Sequence, residues 1–198
     1  MRIGRWIAAG LGIAVIGAAA VYAQYRNTEE PEFVAVRTDG DFELRDYPAL
    51  VVAEVISSGD RQRASGASFR RLAAYIFAQD RPQGGESIAM TAPVLQQETG
   101  AGRWRMRFVM PAKYTLATLP SAPSDIALTE VPGRRMAAVR FSGNGSAGDL
   151  AAREAQLRNW LEGQGIAPLG EAEYAFYDAP MVPGPLRRNE VLIPVAAQ

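Results

Sequence analysis

Alternation of apolar and polar residues is the main pattern in the chain from about residue 32 onward, and it predicts short β-strands. The clearest run is RWRMRFVM, in which every second residue is large and apolar: Trp104, Met106, Phe108 and Met110. Arginines fill the alternate positions Arg103, Arg105 and Arg107. We expect the apolar side of this strand to be buried and the arginine side to face solvent, where at a sheet edge it would deter aggregation.

Two segments instead carry apolar residues at the spacing of an α-helix. The stripe in ASFRRLAAYIFAQD consists of Phe69, Leu72, Ala73, Ile76 and Phe77. The stripe in GDLAAREAQLRNWLEGQG consists of Leu150, Leu157, Trp160 and Leu161. Asp149 is the expected N-cap of the second helix and Gly163 its expected C-terminal stop. Strands separated by proline and glycine, with two helices among them, predict an α+β fold.

The chain also repeats itself at long spacing. LRDYPALVVAEVISSG and LTEVPGRRMAAVRFSG align at a constant offset of 84, with these identical pairs: Leu44/Leu128, Pro48/Pro132, Ala53/Ala137, Val55/Val139, Ser58/Ser142 and Gly59/Gly143. MTAPV is echoed by YDAPM, so we interpret Ala92-Pro93 and Ala179-Pro180 as equivalent turns. We therefore expect two strand-strand-helix-strand-strand units related by a pseudo-twofold axis, near which an apolar cleft would be the default ligand site.

Residues 1–31 form a separate N-terminal segment. Arg2 and Arg5 precede an uncharged apolar stretch of 18 residues from Trp6 to Ala23, which approaches the roughly 20 residues needed to cross a bilayer. The pattern is typical of an apolar N-terminal helix that is either a signal peptide cleaved after Ala23 or an uncleaved membrane anchor, followed by a short linker. Because basic residues precede the stretch and acidic residues follow it, we expect residues 32–198 to face the periplasm.

Composition excludes several classes of function. The chain has 21 basic and 21 acidic residues, so it has no net charge that would attract nucleic acid. It has neither cysteine nor histidine, which excludes disulfides, iron–sulfur clusters, thiolate nucleophiles and histidine bases or ligands. Lys113 is the only lysine; the other basic residues are arginines, whose planar guanidinium suits carboxylates.

Three segments resemble the SOUL haem-binding protein family: IAMTAPV from Ile88, PSAPSDIALTEVPGRRMAAVRFSG from Pro120 and YDAPMVPGPLRRNEV from Tyr177. The resemblance extends over residues 32–195. It implies a pseudo-twofold α+β domain in which a curved antiparallel sheet, or distorted barrel, carries two helices. That fold is similar to the effector-binding domains of multidrug-responsive regulators and to gyrase-inhibitor-like proteins. The resemblance also implies a ligand, haem or a related tetrapyrrole, in an apolar groove beside the first helix.

The resemblance further implies positions for the haem-binding residues. The groove would be lined by Phe69, Leu72, Ala73 and Ile76 of the first helix and by Met181 in the loop after the second Ala-Pro pair. Arg70 or Arg71 could pair with a propionate. This chain offers no histidine as an axial ligand and has Val182 where some members have a basic residue. Tyr75, Met90 and Met181 remain candidate iron ligands, through a phenolate or a thioether, and the metal ligand stays unassigned.

These residues also have structural interpretations. A helical stripe is most often core, and methionines commonly fill gaps in a core. Tyr75 could be a half-buried ring with its hydroxyl group at the surface. We interpret Arg187, Arg188, Asn189 and Glu190 as residues that brace the last strand through charge-assisted hydrogen bonds.

The preferred function is non-enzymatic binding of haem or another tetrapyrrole on the periplasmic side of the inner membrane, for carriage, buffering or sensing. Contact with the membrane would occur through the N-terminal segment if it is not cleaved. The alternative is a gyrase-inhibitor-like binder or hydrolase of amphipathic small molecules, with Glu54 or Glu173 as general base. A structural or partner-binding envelope protein is the third hypothesis. The sequence leaves the choice of tetrapyrrole and the oligomeric state open.

Overall fold

The computed structural model describes residues 28–100 and 102–197. The predicted apolar N-terminal helix, with its signal-peptide or anchor function and its cleavage site at Ala23, lies outside the described residues. Within the described part of the chain, no helix is both long enough and apolar enough to cross a membrane.

The described chain begins with one strand. Two consecutive units follow, and each has the order strand, strand, helix, strand, strand. The first strand is β1 (Val34–Asp39). The next five elements are β2 (Phe42–Tyr47), β3 (Leu50–Ser58), α1 (Arg61–Ile76), β4 (Val94–Glu98) and β5 (Arg103–Val109). The last five are β6 (Ala127–Val131), β7 (Arg134–Ser142), α2 (Ala147–Gly163), β8 (Glu173–Phe176) and β9 (Arg188–Val195). A short 3₁₀ turn, Gly184–Leu186, precedes β9.

These nine strands form one curved antiparallel sheet, a half-barrel, so the predicted α+β class is confirmed. The strand order is β1-β2-β7-β9-β8-β4-β5-β3-β6. The pair β4–β8 lies at the centre and joins strands from the two parts of the chain, with Val94 opposite Phe176. Strands β2 and β6 pair outside their own sequence neighbourhoods, because Leu44 lies opposite Ala137 of β7 and Leu128 lies opposite Ala53 of β3.

The two Ala-Pro pairs are not equivalent turns, contrary to the sequence interpretation. Ala92-Pro93 comes directly before β4, whereas Ala179-Pro180 comes after β8. Because β4 and β8 are antiparallel neighbours, the start of one lies beside the end of the other. The repeated motif therefore marks one end of a single strand pair.

Three apolar clusters divide the core. One packs α2 on the sheet through Leu150, Leu157 and Leu161, and a second packs α1 through Leu72, Tyr75 and Ile76. Side chains alternate between the two faces of a strand, and the register places both helices on the same face. The third cluster contains no helical residue and lies on the opposite face: Val52, Leu95, Val109, Val131, Met136, Ala138, Ala175 and Leu192.

The ends of the helices differ from the sequence prediction. Ser146, not Asp149, is the N-cap of α2: its hydroxyl group accepts from the Asp149 backbone N–H, and the Asp149 carboxylate accepts from the Ser146 N–H. This reciprocal arrangement is a capping box. Gly163 is the last residue of α2, as expected at its C-terminal end, and Gln164 is the C-cap. Helix α1 begins at Arg61, with Asp60 as its N-cap.

The arginine side of β5 is not a solvent-facing sheet edge. Strand β5 lies between β4 and β3, and the side chain of Arg107 is only 12% exposed. Its guanidinium group donates to Glu54 at 2.8 Å and to Glu173 at 3.3 Å. The period-two prediction was correct for the apolar face. On the other face it was correct for Arg103, which is exposed, and wrong for Arg105 and Arg107, which form partly buried ion pairs with Glu54.

Candidate functional site

The predicted groove residues of α1 divide into a buried set and an outer set. Leu72, Tyr75 and Ile76 are at most 1% exposed and belong to the core beneath the helix. Phe69 is 40% exposed, Ala73 is half-buried and Arg70 is exposed. The outer set can contact a ligand directly, whereas the buried set fixes the position of the helix.

Tyr75 is a core residue in this structure. Its hydroxyl group donates to the carbonyl oxygen of Pro120 at 2.7 Å. Burial raises its pKa above the ordinary tyrosine value, despite the nearby charge of Arg81. Both observations disfavour a phenolate that coordinates iron.

Phe69 connects the surface of α1 to the sheet. Its ring packs edge-to-face on Phe108, with ring centroids 5.3 Å apart and planes inclined by 64°. Phe108 is only 2% exposed. Phe108 lies opposite Val94 of β4, and Val94 lies opposite Phe176 of β8. These residues share the helix-bearing face, so a half-buried apolar strip extends from α1 across the central strand pair.

The two candidate methionine ligands leave the sheet at the same end of this strip. Met90 precedes β4 and Met181 follows β8, and the antiparallel register brings those strand ends together. Met90 is partly buried against the α1 cluster, whereas Met181 is 69% exposed. We use the name α1 groove for the exposed and half-buried apolar residues of α1 and of the adjoining ends of β4 and β8: Phe69, Ala73, Met90, Val94 and Met181.

Arg61 bounds the other end of the strip. Its guanidinium group donates to the Gly145 carbonyl oxygen at 2.8 Å and to Gln96 at 3.3 Å. The same group lies 5.7 Å from the ring centre of Phe176. Arg61 thus links the first turn of α1 to the loop before α2, and the apolar surface remains accessible toward Met181.

The charges beside the groove distinguish the two adjacent arginines. Arg71 forms ion pairs with Asp125 and Asp80, and Asp125 has a lowered pKa because it accepts hydrogen bonds from that guanidinium group. Within the described residues, Arg70 forms no ion pair. Arg70 is therefore the arginine available to a ligand carboxylate.

The loop that carries Met181 is fixed by the RRNE segment. Arg187 donates to the carbonyl oxygens of Val182 and Pro180, and the Asn189 side chain donates to the Gly143 carbonyl oxygen at 2.9 Å. Arg188 pairs with Glu30. These contacts agree with the structural role expected for this segment.

Glu190 is the most deeply buried member of that segment, with 1% exposure. It accepts two hydrogen bonds from Arg45, at 2.7 and 3.0 Å, and one from the Tyr177 hydroxyl group at 2.7 Å. Burial alone would raise the pKa of Glu190, but the hydrogen bonds and charge of Arg45 hold that pKa below its ordinary value. Glu190 is therefore a charged structural carboxylate.

Glu54 and Glu173, the candidate general bases, are also held by arginines. Arg134 donates to both oxygens of Glu173, at 2.9 and 2.7 Å. Arg107 bridges Glu173 and Glu54. A base must be able to accept a proton from substrate, and both carboxylates here already accept from guanidinium groups. In the described part of the chain, no cluster of three or more acidic side chains could hold a metal ion.

Sequence reasoning missed Arg61, Val94 and Phe176. Val94 and Phe176 belong to strands that are distant in sequence, so their pairing had no local signal. Arg61 falls within the polar start of α1, before the apolar stripe. The spacing of the N-cap Asp60 from the stripe was the one signal that could have extended the helix to include it.

The described residues form an α+β domain with exposed and half-buried apolar side chains beside α1. A sequence profile of the SOUL heme-binding protein family matches residues 28–194, which is most of the chain. The chain belongs to this family, and binding of haem or a related tetrapyrrole is thereby supported at the level of the family. A search of curated proteins found no match.

Solved structures share the fold at low sequence identity. A hydrolase from Listeria innocua aligns with a TM-score of 0.58 and 13% identity, covering 81% of this chain and 94% of the hydrolase. The C-terminal domain of EcmrR aligns with a TM-score of 0.61 and 11% identity, covering 79% and 98%. EcmrR in a complex with DNA aligns at the same TM-score and identity, but only 57% of that chain is covered. These likenesses concern the fold alone.

Proposed function

We propose that the domain is a non-enzymatic binder of haem or a related tetrapyrrole and that the macrocycle lies on the α1 groove. The observation that carries this proposal is the exposure of two apolar side chains near the Val94–Phe176 strand pair: Phe69, 40% exposed, packs on Phe108 beside β4, and Met181, 69% exposed, follows β8. Burying apolar surface of a flat ring contributes about 25 cal/mol per Å². The ring of Phe69 offers a face to the macrocycle while Phe108 holds it from beneath.

The charged periphery of the ligand would meet Arg70. Haem carries propionates, and an arginine without an ion-pair partner can donate charge-assisted hydrogen bonds to a carboxylate. Arg71 is less suitable because Asp125 and Asp80 already neutralise it. The groove thus offers an apolar centre with one cation beside it, which fits an amphipathic tetrapyrrole.

Met181 and Met90 are the proposed iron contacts. Both leave the central strand pair at the groove end, and a thioether is an established axial ligand of haem iron. Tyr75 is not included in the proposal, because its hydroxyl group is already bonded to Pro120 and buried. Leu72 and Ile76 support the groove from the core rather than line its surface.

A haemin titration of the full chain, followed by absorption spectroscopy, tests this proposal. We expect saturable one-to-one binding that falls roughly tenfold or more in Phe69→Asp, because an apolar contact is replaced by a charge that repels propionates. Leu169→Asp is the matched control, since Leu169 is an exposed apolar residue, at 66%, in the loop before β8.

The arginine assignment has its own control. Arg70→Ala should weaken binding, whereas Arg63→Ala, on the same helix with an 84% exposed side chain, should leave it unchanged. Equal loss in Phe69→Asp and Leu169→Asp, or a titration that never saturates, would rule out the α1 groove as the haem site.

We further propose that the domain is exported to the periplasmic side, where it carries, buffers or senses the tetrapyrrole. Support comes from the two arginines before the apolar stretch and from Glu29, Glu30 and Glu32 after it. Mass spectrometry of the native N-terminus together with cell fractionation tests this. A mature chain that starts at Gln24 indicates a cleaved signal peptide, an intact chain in the membrane fraction indicates an anchor, and an intact chain in the cytosol contradicts export.

The rival proposal, a hydrolase or binder of amphipathic small molecules, is supported only by the shared fold. The ion pairs of Glu54 and Glu173 favour a structural role for both carboxylates. Glu54→Gln and Glu173→Gln should therefore reduce stability. Any hydrolysis of hydrophobic esters that exceeds the rate in buffer should be the same in these variants as in the parent. Turnover that is lost in one of these variants would support the enzyme instead.

A further inference from the structure

A second pocket lies on the face of the sheet opposite the helices and does not belong to the α1 groove. Its floor is part of the third apolar cluster, including Leu95, Val109, Met136 and Leu192. Tyr47 and Tyr177 stand at one side, and Arg134 and Glu173 line the wall as an ion pair. An apolar floor with a few convergent polar groups is the usual composition of a small-molecule site.

Residues 29–33, which we call the strap, contribute Glu30, Pro31 and Phe33 to the lining of this pocket. The Glu29 carbonyl oxygen accepts from the Ala92 N–H at 2.9 Å, and its side chain accepts from the Ala112 N–H at 2.6 Å. The Phe33 ring lies 5.2 Å from the Tyr47 ring. Beneath the strap, the pocket retains a cavity of about 30 Å³, which is room for about two water molecules. A larger ligand therefore needs a wider pocket, and displacement of the strap would widen it.

Displacement of the strap breaks the two hydrogen bonds of Glu29, the Glu30–Arg188 ion pair and the contacts of the Phe33 ring with Tyr47 and Arg45, but the third apolar cluster contains no strap residue. Every residue of β1, which follows the strap, is exposed, and β1 pairs with β2 alone at the end of the sheet. The pairing also contains an irregularity between Ala35 and Arg37. Segments with few buried apolar contacts open at low free-energy cost. The strap can therefore swing away while the floor of the pocket keeps its structure.

Three charged side chains line the pocket, Glu30, Arg134 and Glu173, of which Glu30 belongs to the strap and pairs with Arg188. Arg105, Arg107 and Arg134 surround only two carboxylates, Glu54 and Glu173. Within the described residues the three guanidinium groups have no other ion-pair partner, so one positive charge is in excess. Arg105 Nε is buried without a hydrogen-bond partner. When the strap is displaced, Glu30 leaves the pocket wall, and the excess cation of this network then favours an anionic ligand over a neutral or cationic one.

Arg134 is the member of this cluster that a ligand can reach. It lines the pocket and is 27% exposed, whereas Glu173 is 2% exposed. Arg134 uses one N–H of each terminal nitrogen for Glu173. A guanidinium group has five N–H donors, so Arg134 can donate to a second carboxylate while it still holds Glu173.

We propose that this pocket binds a small molecule with an apolar body and one carboxylate, with the strap displaced, the body on the Leu95–Met136 floor and the carboxylate at Arg134. The site is independent of haem binding, because it lies on the other face of the sheet from Phe69.

Methionine-methyl NMR of the full chain in lipid nanodiscs, titrated with octanoate, tests the proposal. Met136 lies in the pocket floor, while Met90 and Met181 belong to the α1 groove, so one spectrum reports on both faces. We expect octanoate to shift the Met136 methyl resonance in a saturable way and to leave that of Met181 in place. Octanol, with the same chain and no carboxylate, should bind at least tenfold more weakly, since a charge-assisted hydrogen bond is lost.

Arg134→Gln should weaken octanoate binding roughly tenfold and leave octanol binding unchanged. Arg135→Gln is the matched control: this neighbour in β7 also holds a carboxylate through two hydrogen bonds, that of Asp46, but points to the other face. Phe33→Ala should strengthen binding, because it loosens the strap. No shift of Met136, equal affinity for octanol and octanoate, or equal effects of the two arginine variants would overturn the proposal.

Discussion

Phe69 and Phe108 pack edge-to-face, with their ring centroids 5.3 Å apart, although Phe69 is 40% exposed and Phe108 is 2% exposed. One ring of the pair belongs to the surface and the other to the core. Aromatic pairs of this geometry contribute roughly 0.5–1.5 kcal/mol beyond the area that they bury. Phe69 is therefore held in place before any ligand arrives, which lowers the entropic cost of binding a flat macrocycle.

The buried hydroxyl group of Tyr75 predicts that this residue is structural. Tyr75→Phe should lower the free energy of unfolding by about 1–3 kcal/mol, because the Pro120 carbonyl oxygen loses its donor inside the protein. The absorption spectrum of the haem complex should not change. Denaturant unfolding and absorption spectroscopy check the two parts, and a shifted haem band in this variant would contradict the assignment.

The buried pair Arg45–Glu190 predicts strong coupling between two variants. Arg45→Met should lower the free energy of unfolding by about 3–5 kcal/mol, because buried Glu190 then keeps only the half-exposed Arg140, at 3.3 Å, as an ion-pair partner. The double variant Arg45→Met/Glu190→Leu should lose clearly less than the sum of the single variants. Arg135→Met is the control, since its partner Asp46 is 42% exposed and can be solvated. Additive losses for Arg45 and Glu190 would contradict the coupling.

The same cluster predicts how stability depends on pH. The lowered pKa of Glu190 means that its stabilising contribution is present above pH 4.5, its ordinary pKa, and is lost as the pH falls below it. Burial and the charge of Glu190 raise the pKa of Tyr177 well above 10.0, so stability should fall as the pH rises past that value. Each proton taken up or released on unfolding changes the slope of the free energy of unfolding against pH by up to about 1.4 kcal/mol per pH unit.

Denaturant unfolding of the parent and of Tyr177→Phe across pH 3 to 11 measures both slopes. The variant should keep most of the acid slope, because Arg45 lowers the pKa of Glu190 more than Tyr177 does, and it should lose part of the alkaline slope. An unchanged alkaline slope would contradict the assignment of that proton to Tyr177.

Gly145, in the loop before α2, lies against the ring of Phe176 at the end of β8. It has a φ of +63°, and a Cβ at this position would lie 2.7 Å from Cε1 of Phe176. Gly102→Ala is the matched control, because its φ is +67° and its Cβ would meet nothing within 4 Å. We expect Gly102→Ala to cost about 1–2 kcal/mol and Gly145→Ala to cost about 1–3 kcal/mol more. Equal losses in denaturant unfolding would show that the contact with Phe176 relaxes freely.

Local pattern was sufficient to predict the elements, because side-chain periodicity follows directly from helix and strand geometry. The apolar positions of β5 and the central residues of both helices were placed correctly. The capping box at Ser146 was present in the sequence as a serine three residues before Asp149 and would have given the correct start of α2. The misplaced N-cap was thus an overlooked local signal.

Long-range pairing could not be predicted in the same way. No local signal shows that β2 pairs with β7, or that β4 and β8 are neighbours, and the position of the Ala-Pro motifs depends on that order. Periodicity also does not distinguish a solvent-facing strand surface from one with buried ion pairs, as Arg107 shows. Within the α1 stripe, the sequence did not separate core Leu72 from surface Phe69, because the curvature of the sheet decides which positions the strands cover.

Line broadening by ferric haem tests the central claim most directly. Haemin is paramagnetic, so it broadens the methyl resonances of methionines close to it in the spectrum of the full chain. Binding on the α1 groove predicts that Met181 and Met90 broaden at one equivalent of haemin while Met136, on the other face of the sheet, stays sharp. Broadening of Met136 with sharp Met90 and Met181 signals, or uniform weak broadening of all methionines, would contradict the account.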